Sequence, residues 1–327
     1  MQRPFVSIVL ATHNRLSLLQ DTLDTLFALD YPQDRYEIIV VDDASTDTTG
    51  EWLQSQPAER AGVAFTGLTI PPAGPAKARN TGIRLARGEY VMITDDDCII
   101  DTRCLRELVE AMLREPCGGI GGRIICKERS GVISRYNTHI RFNVTAEDAE
   151  TPLRFVNTAN SLFPIVLLYR VGGFDEGYRH LGSEDLDLSQ RIMELGFAIR
   201  PCPSAVVEHL NKVTARSLHR AFYNQSRGAA YIHAKRHPRQ GTPFVLEYLV
   251  KLLLNVLRLF TEAPARLLWN LITRRLPPVD ACLFPLLDRT TKMSSMWGRI
   301  VGRVMYWHLP EATPTCPLED HQLSKVE

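Results

Sequence analysis

Residues 90–98 read YVMITDDDC, a short apolar run that ends in the consecutive carboxylates Asp95, Asp96 and Asp97. Two like charges about 4 Å apart repel by about 4 kcal/mol at an effective dielectric constant of about 20. Three readings of the triplet are open: acids at the start of a helix, where the dipole favours them, a solvated turn, or ligands for a hard divalent cation. A helix start needs only one or two acids. The neighbouring sequence is therefore needed to choose among these three interpretations.

The apolar run before the triplet is the last of several strand patterns in the first 100 residues. FVSIVLA (5–11), YEIIVVDD (36–43) and GVAFTGLTI (62–70) are each followed by a helical pattern. Strands that alternate with single helices are typical of βαβ units. The sequence therefore predicts an α/β fold with a mainly parallel sheet flanked by helices.

Polar groups follow three of these strands at the point where each strand ends. They are Thr12 with its neighbours His13 and Asn14, the pair Asp42 and Asp43, and the acidic triplet. In open α/β sheets, ligands bind at the carboxyl ends of the strands. We therefore expect these groups to lie at one site.

The pattern is less regular beyond residue 100. It predicts helices over 101–115 and 182–197 and strands over 118–126 and 205–210, whereas 129–156 shows no clear period. Ser45, Thr46 and Asp47 are candidate N-caps for the helix after the second strand.

Charge is distributed unevenly along the 327 residues, although the formal net charge is +1. Residues 1–210 carry 21 Lys or Arg against 29 Asp or Glu, whereas residues 211–310 carry 16 against 4. Segments of opposite charge indicate different roles. We predict one domain over 1–215, which the family resemblance described below implies to be catalytic, a basic, amphipathic helical appendage over 216–310 and a polar tail over 311–327.

Seven scattered cysteines without a C-x-x-C pair fit reduced thiols better than a disulfide framework. The first 15 residues lack the extended apolar region and cleavage site of a signal peptide. The expected location is the cytoplasm or the cytoplasmic face of the membrane.

The triplet stands among further blocks in a fixed order: VVDDASTD, ARNTGIRLARGEY and GGFDEGYRHLGSEDLDLSQRIMELG. In this order, over about residues 4–210, the chain resembles the inverting family 2 glycosyltransferases with the GT-A fold. The resemblance implies a nucleotide-diphosphate sugar donor, with UDP favoured, a hydroxyl acceptor, and Mn²⁺ or Mg²⁺ as cofactor. It does not say which sugar is transferred.

On the donor side, the resemblance implies that Thr12 lies under the nucleotide. Asp43 contacts the base, through uracil N3–H, while Asp42 shapes that edge of the site. Arg79 approaches the diphosphate; without the resemblance, it reads as a solvent-facing helix residue.

For the metal, the resemblance implies that Asp95 contacts the ribose or the metal and that Asp97 is the direct ligand. Asp96 is expected on the nucleotide side. The family often has a small residue at this position, so the role of Asp96 is open. His209 either completes the metal shell or is structural. Physical chemistry agrees, because a divalent cation stabilises the charge that develops on a departing diphosphate.

On the acceptor side, the resemblance implies that Asp185 is the general base and that Glu184 holds an acceptor hydroxyl. Asn160 and His180 are expected near the acceptor. The alternative for Glu184 and Asp185 is helix capping, with Ser183 as N-cap and the acids in the first turn.

The apolar stretch 243–260 carries Glu247, Lys251 and Arg258, so the sequence predicts no membrane span. The helix either packs on the catalytic core or lies at an anionic membrane surface. In the second case we expect a lipid-linked acceptor, as in polysaccharide or glycolipid biosynthesis. The many leucines among the charges argue against nucleic-acid binding.

Two other functions compete with a metal-dependent glycosyltransferase. A sugar-1-phosphate nucleotidyltransferase usually has a glycine-rich loop after its first strand, where this chain reads ATHNRLS. A catalytically inactive, membrane-bound scaffold that binds sugar nucleotides would not need the intact acidic motifs.

Overall fold

The computed structural model of the protein describes residues 3–128, 130–140, 145–146, 153, 155–178, 182–210, 214–236, 242–273 and 276–306.

The first 115 residues contain the predicted strands and helices in alternation, with two short additional strands at Glu59–Arg60 and Cys98–Ile100. In chain order the elements are β1 (Val6–Thr12), α1 (Leu16–Phe27), β2 (Tyr36–Asp43), α2 (Thr49–Ser55), β3 (Glu59–Arg60), β4 (Val63–Ile70), α3 (Pro75–Leu85), β5 (Tyr90–Asp95), β6 (Cys98–Ile100) and α4 (Cys104–Arg114). The N-cap of α2 is Thr48, without a side-chain capping bond, rather than any of the three predicted residues. Asp47 accepts a hydrogen bond from the Thr49 N–H at 3.0 Å.

The second half contains short elements that the sequence did not predict. In chain order the elements are β7 (Gly119–Lys127), α5 (Val132–His139), β8 (Ser161–Pro164), α6 (Ile165–Arg170), α7 (Glu184–Glu194), β9 (Ile199–Leu210), α8 (Ala215–Arg236), α9 (Thr242–Thr273) and α10 (Pro278–Tyr306). The last strand begins at Ile199, six residues before the predicted start at 205.

The strands of the described residues form one sheet in the order β3-β4-β2-β1-β5-β8-β7-β9-β6. The neighbours β4, β2, β1 and β5 are parallel. Beyond β5 the sheet is mixed, because β8 runs antiparallel to both its neighbours and β6 runs antiparallel to β9. The predicted α/β fold is confirmed, with a parallel block of β4, β2, β1 and β5 and a mixed second half in which, among the described strands, only β7 and β9 pair in parallel.

The register of the parallel strands brings the polar strand ends together. Thr12 pairs with Asp42 across β1 and β2, and Ala11 pairs with Asp95 across β1 and β5. Cys98, which directly follows the acidic triplet, begins β6 and pairs with His209 on β9. Sequence segments that are more than 100 residues apart thus meet beside the acidic triplet.

The sheet is covered by apolar side chains on both faces. Alternate residues of β1 face opposite sides, so that Ile8 and Leu10 pack with one cluster and Val9 with the other. Burial on both faces explains why the parallel strands read as continuous apolar runs rather than as alternating patterns.

The C-terminal helices leave a large apolar surface exposed. Within the described residues, ten exposed large apolar side chains lie on α9 and five on α10, against three elsewhere. Those of α9 are Leu246, Leu249, Val250, Leu253, Leu254, Leu257, Phe260, Leu268, Trp269 and Ile272. In the described part of the chain, we find no helix with a stretch long and apolar enough to cross a bilayer.

Candidate active site

A cavity of about 1830 Å³ opens at the carboxyl ends of β1, β2 and β5. The start of α7 forms part of its wall, and α8 and α10 contribute residues from the C-terminal region. Most of the predicted site residues meet here, on elements from both halves of the sequence.

The loop after β1 is fixed by Asn14, which adopts a left-handed conformation with φ of 55°. Asparagine tolerates this region better than most residues. Its Oδ1 accepts hydrogen bonds from the N–H groups of Thr46 at 2.7 Å and Asp47 at 3.1 Å. The loops after β1 and β2 are therefore held together beside the cavity.

The two acids at the end of β2 have different environments. Asp43 lines the cavity, and its carboxylate accepts the N–H groups of Ala73 at 2.7 Å and Gly74 at 2.9 Å. Asp42 is fully buried and accepts bonds from the Ser45 N–H at 3.0 Å and the Thr69 hydroxyl at 3.1 Å. Asp43 is thus at the cavity wall and Asp42 lies behind it.

Arg15 reduces the repulsion within the acidic triplet. Its Nη1 donates to Asp96 at 2.9 Å and to Asp97 at 3.2 Å, and the Thr12 hydroxyl donates to Asp96 at 2.7 Å. Burial raises the pKa of Asp96, the Arg15 charge opposes that shift, and Asp97 adds to it. Asp96, whose role the sequence left open, therefore joins the triplet to β1. Sequence reasoning missed Arg15, although it stands only three residues after Thr12.

Asp97 and His209 form the candidate metal centre. The Nε2 atom of His209 lies 3.3 Å from an oxygen of Asp97, and both side chains are buried. The Cys98 sulfur completes a group whose ligand atoms lie within 4.8 Å of one another. Burial raises the pKa of the Cys98 thiol well above its usual value. A neutral thiol is a poor ligand, so Asp97 and His209 are the better donors.

Arg79 connects the triplet with the start of α7. Its Nη2 donates to Asp95 at 2.9 Å and its Nη1 to Glu184 at 2.8 Å, and the residue is only 4% exposed. The reading of Arg79 as a solvent-facing residue is therefore wrong. Both terminal nitrogens of the guanidinium are bound to carboxylates, so its first role in this structure is to hold Asp95 and Glu184 in place.

Asp185 lines the cavity in the first turn of α7 and accepts the N–H of Leu186 at 2.8 Å. Burial and the neighbouring Glu184 charge raise the pKa of Asp185 to about 7. A carboxylate with such a pKa suits general base catalysis near neutral pH.

The capping alternative expected the Ser183 side chain to cap α7, but it does not. Ser183 adopts a left-handed conformation with φ of 70°, and its side chain makes no capping bond. Its hydroxyl donates instead to the carbonyl of Gln225 on α8 at 3.0 Å. The loop that carries Glu184 and Asp185 is thus attached to the C-terminal helices.

The backbones of this loop and α8 are in direct contact. A Cβ atom at Gly228 would lie 2.0 Å from the carbonyl oxygen of Gly182, far inside van der Waals contact. Only glycine permits so close an approach. Helix α8 is therefore packed directly against the segment that leads into α7.

One predicted acceptor-side residue, Asn160, does not line the cavity. Asn160 is fully buried, and its Nδ2 donates to the carbonyls of Arg123 at 3.1 Å and Ala205 at 2.9 Å. Its neighbours Asn157 and Thr158 line the cavity instead. His180 lies outside the described residues.

Two family models match the chain. Residues 7–172 match the model of glycosyl transferase family 2. Residues 90–309 match the model of glycosyl transferase family group 2.

Curated relatives are glycosyltransferases and polysaccharide synthases. The chain is 26% identical over 242 residues to the probable glycosyltransferase YdaM of Bacillus subtilis, covering 71% of this chain and 57% of that protein. It is 26% identical over 205 residues to the poly-beta-1,6-N-acetyl-D-glucosamine synthase of Staphylococcus epidermidis, covering 62% of this chain and 48% of that protein. The chain thus spans about half the length of these relatives.

Similar solved structures share the fold at low sequence identity. The mannosyltransferase PcManGT from Pyrobaculum calidifontis, solved with GDP-Man and Mn²⁺, has a TM-score of 0.60 and 22% identity, covering 94% of this chain and 88% of that chain. Residues 1–349 of TarS from S. aureus, solved with UDP-GlcNAc, give a TM-score of 0.52 and 16% identity, covering 92% and 91%.

Proposed function

Because the chain belongs to glycosyl transferase family 2, we propose that it transfers a sugar from a nucleotide-diphosphate donor to an acceptor hydroxyl with inversion at the anomeric carbon. The observation that carries the proposal is the position of Asp185, whose pKa is raised to about 7 and which faces the same cavity as the acidic triplet.

The donor side of the proposal rests on the ends of β1, β2 and β5. Thr12 and Asp43 line the cavity there, and we assign Asp43 to the base and the loop at Thr12 to the nucleotide. UDP is the favoured nucleotide because a carboxylate accepts the uracil N3–H. One solved relative holds a UDP-sugar and another a GDP-sugar.

The metal side of the proposal rests on the chemistry of the donor atoms. The carboxylate of Asp97 and the imidazole of His209 converge at 3.3 Å, and oxygen with imidazole nitrogen suits Mn²⁺, whereas Mg²⁺ prefers oxygen alone. Asp95 would stand on the ribose side. A bound cation would supply Lewis-acid stabilisation of the negative charge on the departing diphosphate.

Two residues of α7 are assigned roles toward the acceptor. Asp185 takes the proton of the acceptor hydroxyl while the oxygen bonds to the anomeric carbon, and the bond from that carbon to the diphosphate oxygen breaks. Glu184, held by Arg79 at 2.8 Å and by the Gly182 N–H at 2.9 Å, orients the acceptor.

The exposed apolar surface of α9 and α10 supports a peripheral position at an anionic membrane face. Fifteen large apolar side chains are exposed there, and residues 211–310 carry 16 basic against 4 acidic groups. A helix with such a face lies in the interfacial plane of a bilayer. We accordingly propose a lipid-linked acceptor or a surface-glycan precursor.

Donor binding and turnover test the proposal. UDP-, GDP- and dTDP-sugars are titrated with Mn²⁺ or Mg²⁺ and then with EDTA, with Asp185→Asn beside the wild type and Asp34→Asn as a control at an exposed carboxylate. We expect metal-dependent binding of a UDP-sugar, and loss of donor turnover in Asp185→Asn with donor binding retained. Full activity in EDTA would refute the metal assignment, and an active Asp185→Asn variant would refute the base. Donor binding without any turnover would favour the inactive scaffold.

Vesicle flotation tests the membrane position separately. Leu253→Asp and Phe260→Asp place charges on the apolar face of α9, whereas Leu85→Asp is a matched control at an exposed leucine of α3. We expect only the α9 variants to lose binding to vesicles that contain phosphatidylglycerol. Equal flotation of all three variants would contradict the proposal.

A further inference from the structure

The cavity has room for more than a donor. Its volume of about 1830 Å³ exceeds the range of roughly 300–1,000 Å³ that is usual for one small-molecule site. The acidic triplet, the start of α7 and the first half of α8 all line the cavity. The chemistry of the α8 wall therefore bears on the second substrate.

Two arginines of α8 face this space. Arg216 and Arg220 both line the cavity and are exposed to it. Residues four apart on a helix lie on the same side, so their guanidinium groups can act on one ligand. Neither side chain makes an ion pair with a carboxylate of the described residues. The neighbouring Lys292 differs, because its Nζ lies 3.1 Å from Asp288.

The attachment of α8 places these arginines relative to Asp185. The bond from Ser183 to the Gln225 carbonyl fixes the middle of the helix beside the start of α7. With a rise of about 1.5 Å per residue, Arg220 stands about 7.5 Å and Arg216 about 13.5 Å from Gln225 along the axis. Both arginines line the same cavity as Asp185, on the N-terminal side of the contact between Ser183 and Gln225. Both residues are also in the first two turns of a 22-residue helix, whose N-terminal dipole adds positive potential.

We propose that Arg216 and Arg220 form a phosphate subsite for the acceptor, so that the preferred acceptor carries a phosphate or diphosphate group close to the hydroxyl that is glycosylated. Arginine matches phosphate oxygens with paired donors. The donor's own diphosphate is expected at Asp97 and His209, which line the same cavity. This inference rests on the proposed function for the position of the base, but phosphate binding itself can be measured without turnover.

The test is a calorimetric titration of inorganic pyrophosphate into the full chain saturated with UDP and Mn²⁺. The variants are Arg216→Gln/Arg220→Gln together and the corresponding double lysine variant. Arg236→Gln is the matched control, since Arg236 lies on the same helix and pairs with Glu194 at 2.9 Å. Melting temperatures of all variants check that they are folded.

We expect pyrophosphate to bind the nucleotide-saturated protein and its Kd to rise at least tenfold in the double glutamine variant. The lysine variant should be intermediate, because it keeps the charge and loses the paired donors. The Kd for UDP should change less than twofold. Competition between UDP and pyrophosphate for one site, or an equal loss in Arg236→Gln, would overturn the proposal.

A second arm identifies the source of the phosphate. Farnesyl diphosphate that binds more tightly than pyrophosphate would assign the subsite to a lipid-linked phosphate. Glycerol 3-phosphate that binds as well as farnesyl diphosphate would assign it to a soluble phosphorylated glycan. Failure of UDP to bind would count against the proposed function, whereas loss of pyrophosphate binding with UDP binding intact would count against this subsite alone.

Discussion

Replacing Asp185, the proposed base, with asparagine should make the protein more stable above pH 7. Burial and the Glu184 charge raise the pKa of Asp185 from its ordinary value of 3.8 to about 7. A raised carboxyl pKa means that the folded protein binds the proton more tightly than the unfolded chain. The stability gained from protonation is therefore complete below about pH 4 and is lost as the pH rises through about 7.

The size of the effect follows from these two values. Between pH 5.5 and 8.5, a group with a folded pKa of about 7 and an unfolded pKa of 3.8 loses about 2 kcal/mol of stabilisation. Asparagine does not titrate, so the Asp185→Asn variant should not show this loss. The wild type should accordingly lose about 2 kcal/mol relative to the variant over that interval.

Urea unfolding at pH 5.5, 7.0 and 8.5, without nucleotide and in chelator, measures the difference. Asp34→Asn, at a side chain that is 80% exposed, controls for the removal of one negative charge. Parallel pH dependences of the wild type and Asp185→Asn would refute the reasoning, because they would show that Asp185 does not bind its proton more tightly in the folded protein.

Three further predictions concern the same cavity. The kcat/KM of the wild type should rise with pH through about 7 and then level off, because Asp185 acts in its ionised form; a pH–rate profile that is already flat at pH 5.5 would contradict this role. His209→Ala should raise the Mn²⁺ concentration for half-maximal activity by at least about tenfold, measured by metal titration, and an unchanged requirement would exclude His209 as a ligand. Arg79→Gln leaves Asp95 and Glu184 without their shared partner, so the free energy of unfolding should fall by about 3–5 kcal/mol. The free energy of unfolding of Arg79→Lys should fall less. If urea unfolding finds Arg79→Gln as stable as the wild type, the bridge is not a stabilising contact.

The meeting of polar residues at one end of the cavity could be predicted from the sequence, because parallel strands end at a common edge. Apolar runs locate the strands, and the polar residues that follow them, such as Thr12, Asp43 and Asp95, must then lie close together. The acids at the start of α7 also follow from a local pattern. These predictions need only the strand and helix periods and the direction of the strands.

The connections between these groups could not be predicted, because they depend on tertiary packing. Arg79 contacts a carboxylate 105 positions away in the sequence, and Arg15 contacts one 81 positions away. The strand β8 has four residues, too few for a clear period. The left-handed conformation of Ser183 has no local signal either, since it follows from contact with α8.

The contact between Gly228 and Gly182 limits how such enzymes can be recombined. An exchange of C-terminal helices between relatives would be a route to a new acceptor preference if, as we propose, the catalytic motifs end before residue 215. The exchanged helix must nevertheless present a glycine at position 228, since any side chain there would collide with the Gly182 carbonyl. A chimera that lacks this glycine would displace the segment that carries Glu184 and Asp185, and would lose turnover without any change in its donor motifs.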